Sequence, residues 1–255
     1  PWTIRRKLYV CDDWRSGCLF FASAYNKGIC NYDAELAYEG LRKNAFVGGI
    51  RDHAGYEHSK TAHSGGMKYY EERGYVPDGR KDVEGMHITG ASMTLEYAYQ
   101  DWCLAQMAKT MGKLQDYEFF MKRSKNYRHL WNPESGYMQP RGIDGDWLPC
   151  FDPLELTEKG GFCESNSAIY SHYVPHDMTG LIELYGGADK YIERLNANFE
   201  KVNRMDFSVL IKQRKEIGQT MAINRGLEWP ICLTMQAHLG LLRNGYVRSR
   251  PLIVM

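Results

Sequence analysis

The sequence predicts an all-α protein assembled from helical hairpins. Three observations predict it. Apolar residues recur at helical spacing in several long segments. These segments come in neighbouring pairs separated by Gly or Pro. Strands with alternating polar and apolar residues are scarce. No exact internal period emerges, which favours a toroid of hairpins over a regular repeat array.

The first element reads from Asp33 to Phe46. Asp33 is a candidate N-cap, Leu36, Ala37, Leu41 and Ala45 form the apolar stripe, and Gly48 and Gly49 end the helix. A loop rich in Gly and His follows, through about Gly66. Met67 to Arg73 is a short helix stopped by Gly74. Thr94 to Met111 is the clearest helix, with Leu95, Ala98, Tyr99, Trp102, Cys103 and Met107 on one wide face and Gly112 closing it. Asp116 to Trp131 pairs with it, with Tyr117, Phe120, Met121, Tyr127 and Leu130 facing inward and Asn132-Pro133 as its stop. A long loop from Gly136 to Gly161 is full of Pro, Gly, Asp and aromatic residues, and a loop of that length in a compact domain usually carries function. The last hairpin is Pro175 to Tyr185, ended by Gly186-Gly187, and Ala188 to Val202, with Tyr191, Ile192, Leu195 and Phe199 as its stripe.

Composition narrows the function. The 255 residues are 44% hydrophobic and 25% charged, ordinary values for a folded protein. The net charge of +1 leaves no basic excess to hold a phosphate backbone, so nucleic acid is not expected as a partner. Mean hydropathy is −0.51, and no apolar run is long enough to predict a membrane span. Pro1 is preceded by neither an initiator Met nor a signal peptide, as expected of a fragment. The seven cysteines have irregular spacing and no CxxC pair, so they read as incidental thiols rather than zinc ligands or a disulfide framework. Eighteen Tyr and six Trp, many beside Asp, Asn or Gly, suit a carbohydrate cleft, where flat rings stack on sugar faces.

The chemistry concentrates in Gly161 to Asp177, GFCESNSAIYSHYVPHD. Glu164 stands among small and polar residues with Phe162, Tyr170 and Tyr173 near in sequence. Aromatic walls desolvate a carboxyl and raise its pKa, which suits a general acid near neutral pH. The structural alternative is that Glu164 caps a helix or pairs with an Arg. His172 and His176 have the i, i+4 spacing of metal ligands, but Pro175 breaks the helix between them, so a structural or substrate-binding pair is the better reading. His53, His58 and His63, five apart in a Gly-rich loop, share no face and are not read as a metal cluster. Glu96 and Asp101 point to different sides of one helix and are not an acid/base pair.

Three blocks carry a resemblance: TLEYAYQDWCLAQMAKTMGK (Thr94 to Lys113), GYMQPRGIDGDWLPCFDP (Gly136 to Pro153) and GFCESNS…YVPHDMTGLIELYGG (Gly161 to Gly187). In this order they resemble the catalytic domain of glycoside hydrolase family 92, over roughly Ala22 to Asn203. The resemblance implies an (α/α)6 toroid, incomplete in this chain, that follows an N-terminal β-sandwich. It implies calcium-dependent, inverting, exo-acting α-mannosidase chemistry on mannose-containing glycans, in a periplasmic, cell-surface or secreted setting. It places Glu164 as general acid in a motif usually reading GF-x-E-G-N, with Ser165 where Gly is common. Asn166 then lines the site, and Asp101, Trp102 and Asp152 form supporting wall. An inverting enzyme also needs a base carboxylate about 6.5–9.5 Å from the acid. In the family it lies in an acidic GDED-like segment downstream, which this chain lacks. The chain's expected partners are therefore the missing parts of its own catalytic unit, the β-sandwich and the C-terminal half of the toroid. The calcium ligands are not assignable to numbered residues.

The resemblance divides the chain into an unmatched segment 1–21, a partial catalytic domain 22–225 and an unmatched tail 226–255. The tail reads as a frameshift. Leu233 to Gly240 (LTMQAHLG) can be coded CTT ACA ATG CAG GCG CAC CTT GGG. Shifted by two bases, this gives Tyr-Asn-Ala-Gly-Ala-Pro-Trp, close to the family's phrase, which is like AHLFNYAGAPW, and Leu241 to Arg248 can give Ala-Thr-Gln-Lys-Trp-Val-Arg in that frame, ending in the family's Gln-Lys-Trp-Val-Arg. The alternative is a divergent tail. Two further function classes stay open: a non-catalytic helical-hairpin interaction or carbohydrate-binding module, and another (α/α)6 glycosidase of different sugar specificity. Glu164 in a cleft near Trp102 or Trp147 favours a glycosidase; Glu164 on a convex surface favours the module.

Overall fold

The structure, a computed structural model, describes residues 16–53, 63, 65–78, 89–155, 160–163 and 165–204. Glu164, His58 and the tail from Gly226 lie outside the described residues. The described part is helical apart from one two-residue strand pair, so the fold is all-α as the sequence predicts. It divides after His176 into two compact units.

In the first unit, α1 (Ser16–Asn26) packs on α4 (Gly90–Thr110), and α2 (Ala34–Asn44) packs on both. The sequence reading does not include α1, whose SGCLFFASAYN is apolar all round and so shows no stripe. Asp33 caps α2, accepting from Leu36 N–H at 3.0 Å. The buried stripe of α2 is Tyr38 and Leu41, continuing to Ala45. Leu36, assigned to that stripe from sequence, is 65% exposed. Tyr38 takes its place because its ring packs inward while its hydroxyl reaches Asp116 Oδ2 at 2.8 Å. α3 (Met67–Arg73) has the bounds the sequence predicts, and Gly74 ends it in the left-handed region.

α4 is the axis of the unit and is buried on almost every side. It begins at Gly90, four residues before the predicted start at Thr94. The anion at its N-terminus is Asp78 from a separate segment, whose Oδ2 accepts from Gly90 N–H at 3.0 Å. α5 (Leu114–Arg123) folds back along α4, giving the predicted hairpin. The predicted continuation of α5 to Trp131 is corrected. Ser124 Oγ bonds back to Met121 O at 2.8 Å and Ser124 O accepts from His176 Nε2 at 2.9 Å, so the helical ladder stops there. A tighter 3-10 turn, Asn126–Leu130, follows and leads into β1 (Trp131–Asn132), which pairs antiparallel with β2 (Tyr137–Met138).

The loop after β2 is ordered by its own contacts. Arg141 bridges to Trp147 and lays its guanidinium 4.6 Å from that ring's centre. Gln139 Nε2 donates to Leu148 O at 3.1 Å. The short α6 (Ser167–Tyr170) rests on β2: Ser171 Oγ accepts from Met138 N–H at 2.7 Å and Ser167 Oγ donates to Met138 O at 2.5 Å.

In the second unit, α7 (Met178–Leu184) is capped by Asp177, which accepts from Gly180 N–H at 3.2 Å. Pro175, predicted at its first turn, lies outside it. α8 (Ala188–Arg204) follows after Gly186 and Gly187, and the Tyr185 and Tyr191 rings meet edge-on at 5.1 Å.

Candidate active site

One side of α4 faces the segment that carries the candidate acid. Ser92, Glu96 and Tyr99 lie at successive turns of that side, and each touches residues between 161 and 176. Ser92 Oγ accepts from Cys163 N–H at 3.2 Å, and Ser92 N–H reaches Gly161 O at 3.4 Å. Glu96, 7% exposed, accepts from the Tyr173 hydroxyl at 3.3 Å. Tyr99 meets Tyr173 edge-on at 6.1 Å and stacks with His176 at 5.7 Å.

The segment is also held from its own side. The Tyr170 hydroxyl donates to Cys163 O at 3.2 Å, and the Tyr170 ring stacks on Phe162 at 5.3 Å. Asn166 is 1% exposed, and its side-chain oxygen caps α6 by accepting from Ile169 N–H at 3.1 Å. Gly161 turns the chain with φ +79°, and a Cβ there would sit 2.3 Å from Pro140 Cγ and 2.6 Å from Asp78 Oδ2. Phe162 and Cys163 before Glu164 and Asn166 after it are thus held by contacts with α4 and α6.

An aromatic wall stands beside this segment. Tyr99, Trp102 and Tyr127 gather around His176, whose ring centre lies 6.4 Å from Trp102 and 5.7 Å from Tyr127. Trp102 and Tyr99 stack at 6.3 Å, and both are partly open to solvent. Burial pushes the Tyr99 hydroxyl up to about 12, so it stays a neutral donor at physiological pH. Tyr173 is raised further by burial and by the neighbouring Glu96 charge. Flat rings beside hydroxyl and imidazole groups match the chemistry of a sugar face with its rim of hydroxyls.

The site residues named from sequence do not all share this wall. Asp101, expected as wall, is 0% exposed and sits within the helix layer. Arg51 Nη1 and Arg123 Nη2 donate to its Oδ1 at 2.7 and 2.8 Å, and Arg123 Nε and the Tyr70 hydroxyl donate to its Oδ2 at 2.6 and 3.0 Å. With both oxygens engaged and no exposed surface, Asp101 acts as a structural anchor rather than a surface open to ligand. Asp152 is exposed, and its Oδ1 closes a turn by accepting from Leu154 N–H at 2.9 Å. Trp102, of the residues named, stands in the aromatic cluster with Tyr99 and His176. Ser92, Glu96 and Tyr170 were not singled out as site residues. Ser92 fell before the predicted helix start, and nothing local in sequence reports a contact across seventy residues.

Among the described residues, no three of His, Cys, Asp or Glu gather where they could hold a metal ion. His53 and His63 have rings 5.6 Å apart, and His63 Nδ1 contacts Asp52, which also accepts from Gly48 N–H at 2.8 Å. The described cysteines are free thiols. No described helix is long and apolar enough to cross a membrane.

Comparison with known proteins decides the family. The glycosyl hydrolase family 92 catalytic domain matches residues 15–226. The chain belongs to glycosyl hydrolase family 92. An uncharacterized secreted glycosidase of Arthroderma benhamiae is 32% identical over 200 residues, 69% of this chain and 25% of that protein. A family 92 inverting mannosidase of Bacteroides thetaiotaomicron is 34% identical, with a TM-score of 0.58 over 71% of this chain and 22% of that one. A family 92 α-mannosidase of the same organism in complex with mannoimidazole is 30% identical, with a TM-score of 0.57 over 71% of this chain and 22% of that one. The chain spans about a quarter or less of the length of these family 92 relatives. The family 92 match agrees with the resemblance read from the three sequence blocks, and these neighbours share the helical-hairpin fold expected of an (α/α)6 toroid.

Proposed function

We propose that this chain is the acid-bearing part of an inverting, exo-acting α-mannosidase that removes terminal α-mannosides from glycans. Glu164 is the general acid, protonating the leaving oxygen, and Trp102 supports the sugar beside it. The observation that carries this reading is the anchoring of both flanks of Glu164 between α4 and α6, alongside a partly open aromatic wall. The mannosidase neighbours support the substrate class. A scaffold has no need to fix a carboxylate-bearing turn so closely.

Asn166, two residues after Glu164, lines the site, with its side-chain oxygen engaged in the α6 cap. The base that activates water belongs to a further part of the catalytic unit, as does the β-sandwich. Calcium is carried over from the family as a cofactor, with no residue of this chain assigned to it and no step routed through it. The setting is outside the cytoplasm, in keeping with the secreted relative. The catalytic domain begins at about residue 15, seven residues before the boundary read from the sequence, and runs to about 225, and the segment 226–255 is a frameshifted translation. The end of the family match at residue 226 supports this reading.

The 255-residue chain alone is therefore expected to bind calcium weakly and release no mannose. Mannose release from an α-mannoside, measured with calcium and again with EDTA, tests this. EDTA-sensitive release by the chain alone would overturn the reading of an incomplete site. Binding of mannosides without hydrolysis, even in a family-length chain, would favour a carbohydrate-binding module instead.

A further inference from the structure

We infer that Ser92 and Tyr170 are positioning residues for Glu164, holding the peptide units that precede it in one orientation. The inference rests on the reading of Glu164 as general acid and deepens it. Cys163 is the residue before Glu164, and both of its backbone groups are spoken for. Its N–H donates to Ser92 Oγ at 3.2 Å, and its carbonyl accepts from the Tyr170 hydroxyl at 3.2 Å. That carbonyl belongs to the peptide unit that links Cys163 to Glu164, so Tyr170 directly restrains the plane from which Glu164 departs.

The two clamps are themselves rigid. Ser92 Oγ donates its own proton to Thr89 O at 2.9 Å, which leaves its lone pairs aimed at Cys163. Ser92 is 0% exposed and sits in the first turn of α4, which Asp78 fixes through Gly90. Tyr170 is stacked on Phe162 and meets Tyr173 edge-on at 6.0 Å. Tyr173 in turn donates to Glu96 on α4. Cys163 is therefore tied to α4 directly through Ser92 and indirectly through Tyr170, Tyr173 and Glu96. A general acid gains from this because proton transfer demands a heavy-atom approach within hydrogen-bond reach of the leaving oxygen.

The test uses the 255-residue chain, by amide exchange and carboxyl-carbon NMR. Ser92→Ala is expected to speed exchange of the Cys163 amide by about tenfold, the loss of one net hydrogen bond. Ser92→Thr is expected to restore it. Ser92→Ala and Tyr170→Phe are both expected to move the titration midpoint of Glu164 while leaving that of the distant Asp116 in place. Unchanged exchange at Cys163, or faster exchange with an unmoved Glu164 midpoint, would overturn the inference. Should Ser92→Ala fail to fold, Tyr170→Phe, which removes only a hydroxyl, decides by the Glu164 midpoint. Glu164→Gln in a family-length chain separates the two readings: full activity would remove the acid role and leave the exchange result standing.

Discussion

Asp101 and Arg123 form a two-bonded ion pair inside the helix layer, with Arg123 Nε 2.6 Å from Oδ2 and Nη2 2.8 Å from Oδ1. Arg51 brings a second guanidinium to the same carboxylate at 2.7 Å. Arg123 Nη2 also donates to Ala45 O at 2.8 Å, and the Tyr97 hydroxyl donates to Arg51 O and Gly65 O at 3.0 Å each. One buried carboxylate thus ties α2, α4, α5 and the turn at Ile50–His53 together. Gly65 is needed there because a Cβ would fall 1.6 Å from Arg51 O.

Removing that carboxylate leaves two buried guanidinium groups uncompensated. Asp101→Asn is expected to destabilise the chain by about 3–5 kcal/mol, the range for breaking one side of a buried pair. Urea unfolding followed by circular dichroism measures it. A loss below about 1 kcal/mol, the level of an exposed pair, would contradict the anchor role.

The same carboxylate sets a pH dependence. Burial alone would raise the Asp101 pKa, but the Arg123 and Arg51 charges outweigh it and hold the group below the ordinary aspartate value. Its stabilisation is full above the unfolded aspartate pKa of about 3.9 and is lost as pH falls through the lower folded value. The urea midpoint of the unmodified chain is expected to fall below about pH 4. Asp101→Asn should lack that part of the slope.

Gly161→Ala is expected to destabilise by about 1–3 kcal/mol, because φ +79° strains an L residue and the new methyl meets Pro140 and Asp78. Displacing Asp78 also loosens the N-terminus of α4. A thermal unfolding scan reads the effect, and an unchanged midpoint would contradict the close packing.

Asn166→Ala should cost about 1 kcal/mol through loss of the α6 cap, whereas Asn166→Asp should retain most of it. Chemical unfolding of both variants distinguishes a capping role from simple side-chain burial. Equal losses in the two would argue against the cap.

Much of this architecture is legible in the residues. Asp33, Gly74 and Gly112 mark helix ends by local chemistry, and α3 has the bounds that Met67, Arg73 and Gly74 suggest. The misses are non-local. α4 starts early because its capping carboxylate, Asp78, is twelve residues upstream. α5 stops early because Ser124 gives its carbonyl to His176, fifty-two residues away. At the site, Trp102 comes from the family resemblance, and in the structure its ring stands beside Tyr99 and His176. The resemblance also implies Asp101 as wall, and only the approach of Arg51 and Arg123, from fifty residues upstream and twenty-two downstream, shows that it is buried and paired. Ser92 carries no local signal, since its hydroxyl gains meaning only from Cys163, seventy-one residues away, and Tyr170 reads from sequence as an aromatic neighbour of Glu164, not as a hydrogen-bond donor to Cys163.

The central claim is that Glu164 protonates the leaving group, and leaving-group kinetics test it most directly. Glu164→Gln and the unmodified protein, as family-length chains, would be assayed on 4-nitrophenyl and 2,4-dinitrophenyl α-mannosides. The poorer leaving group needs the acid, so the variant should lose about 10²–10⁴-fold in kcat/KM on the 4-nitrophenyl substrate. It should lose far less on the dinitrophenyl substrate, whose departure needs little proton assistance. Equal losses on both substrates, or none on either, would contradict the assignment of Glu164 as general acid.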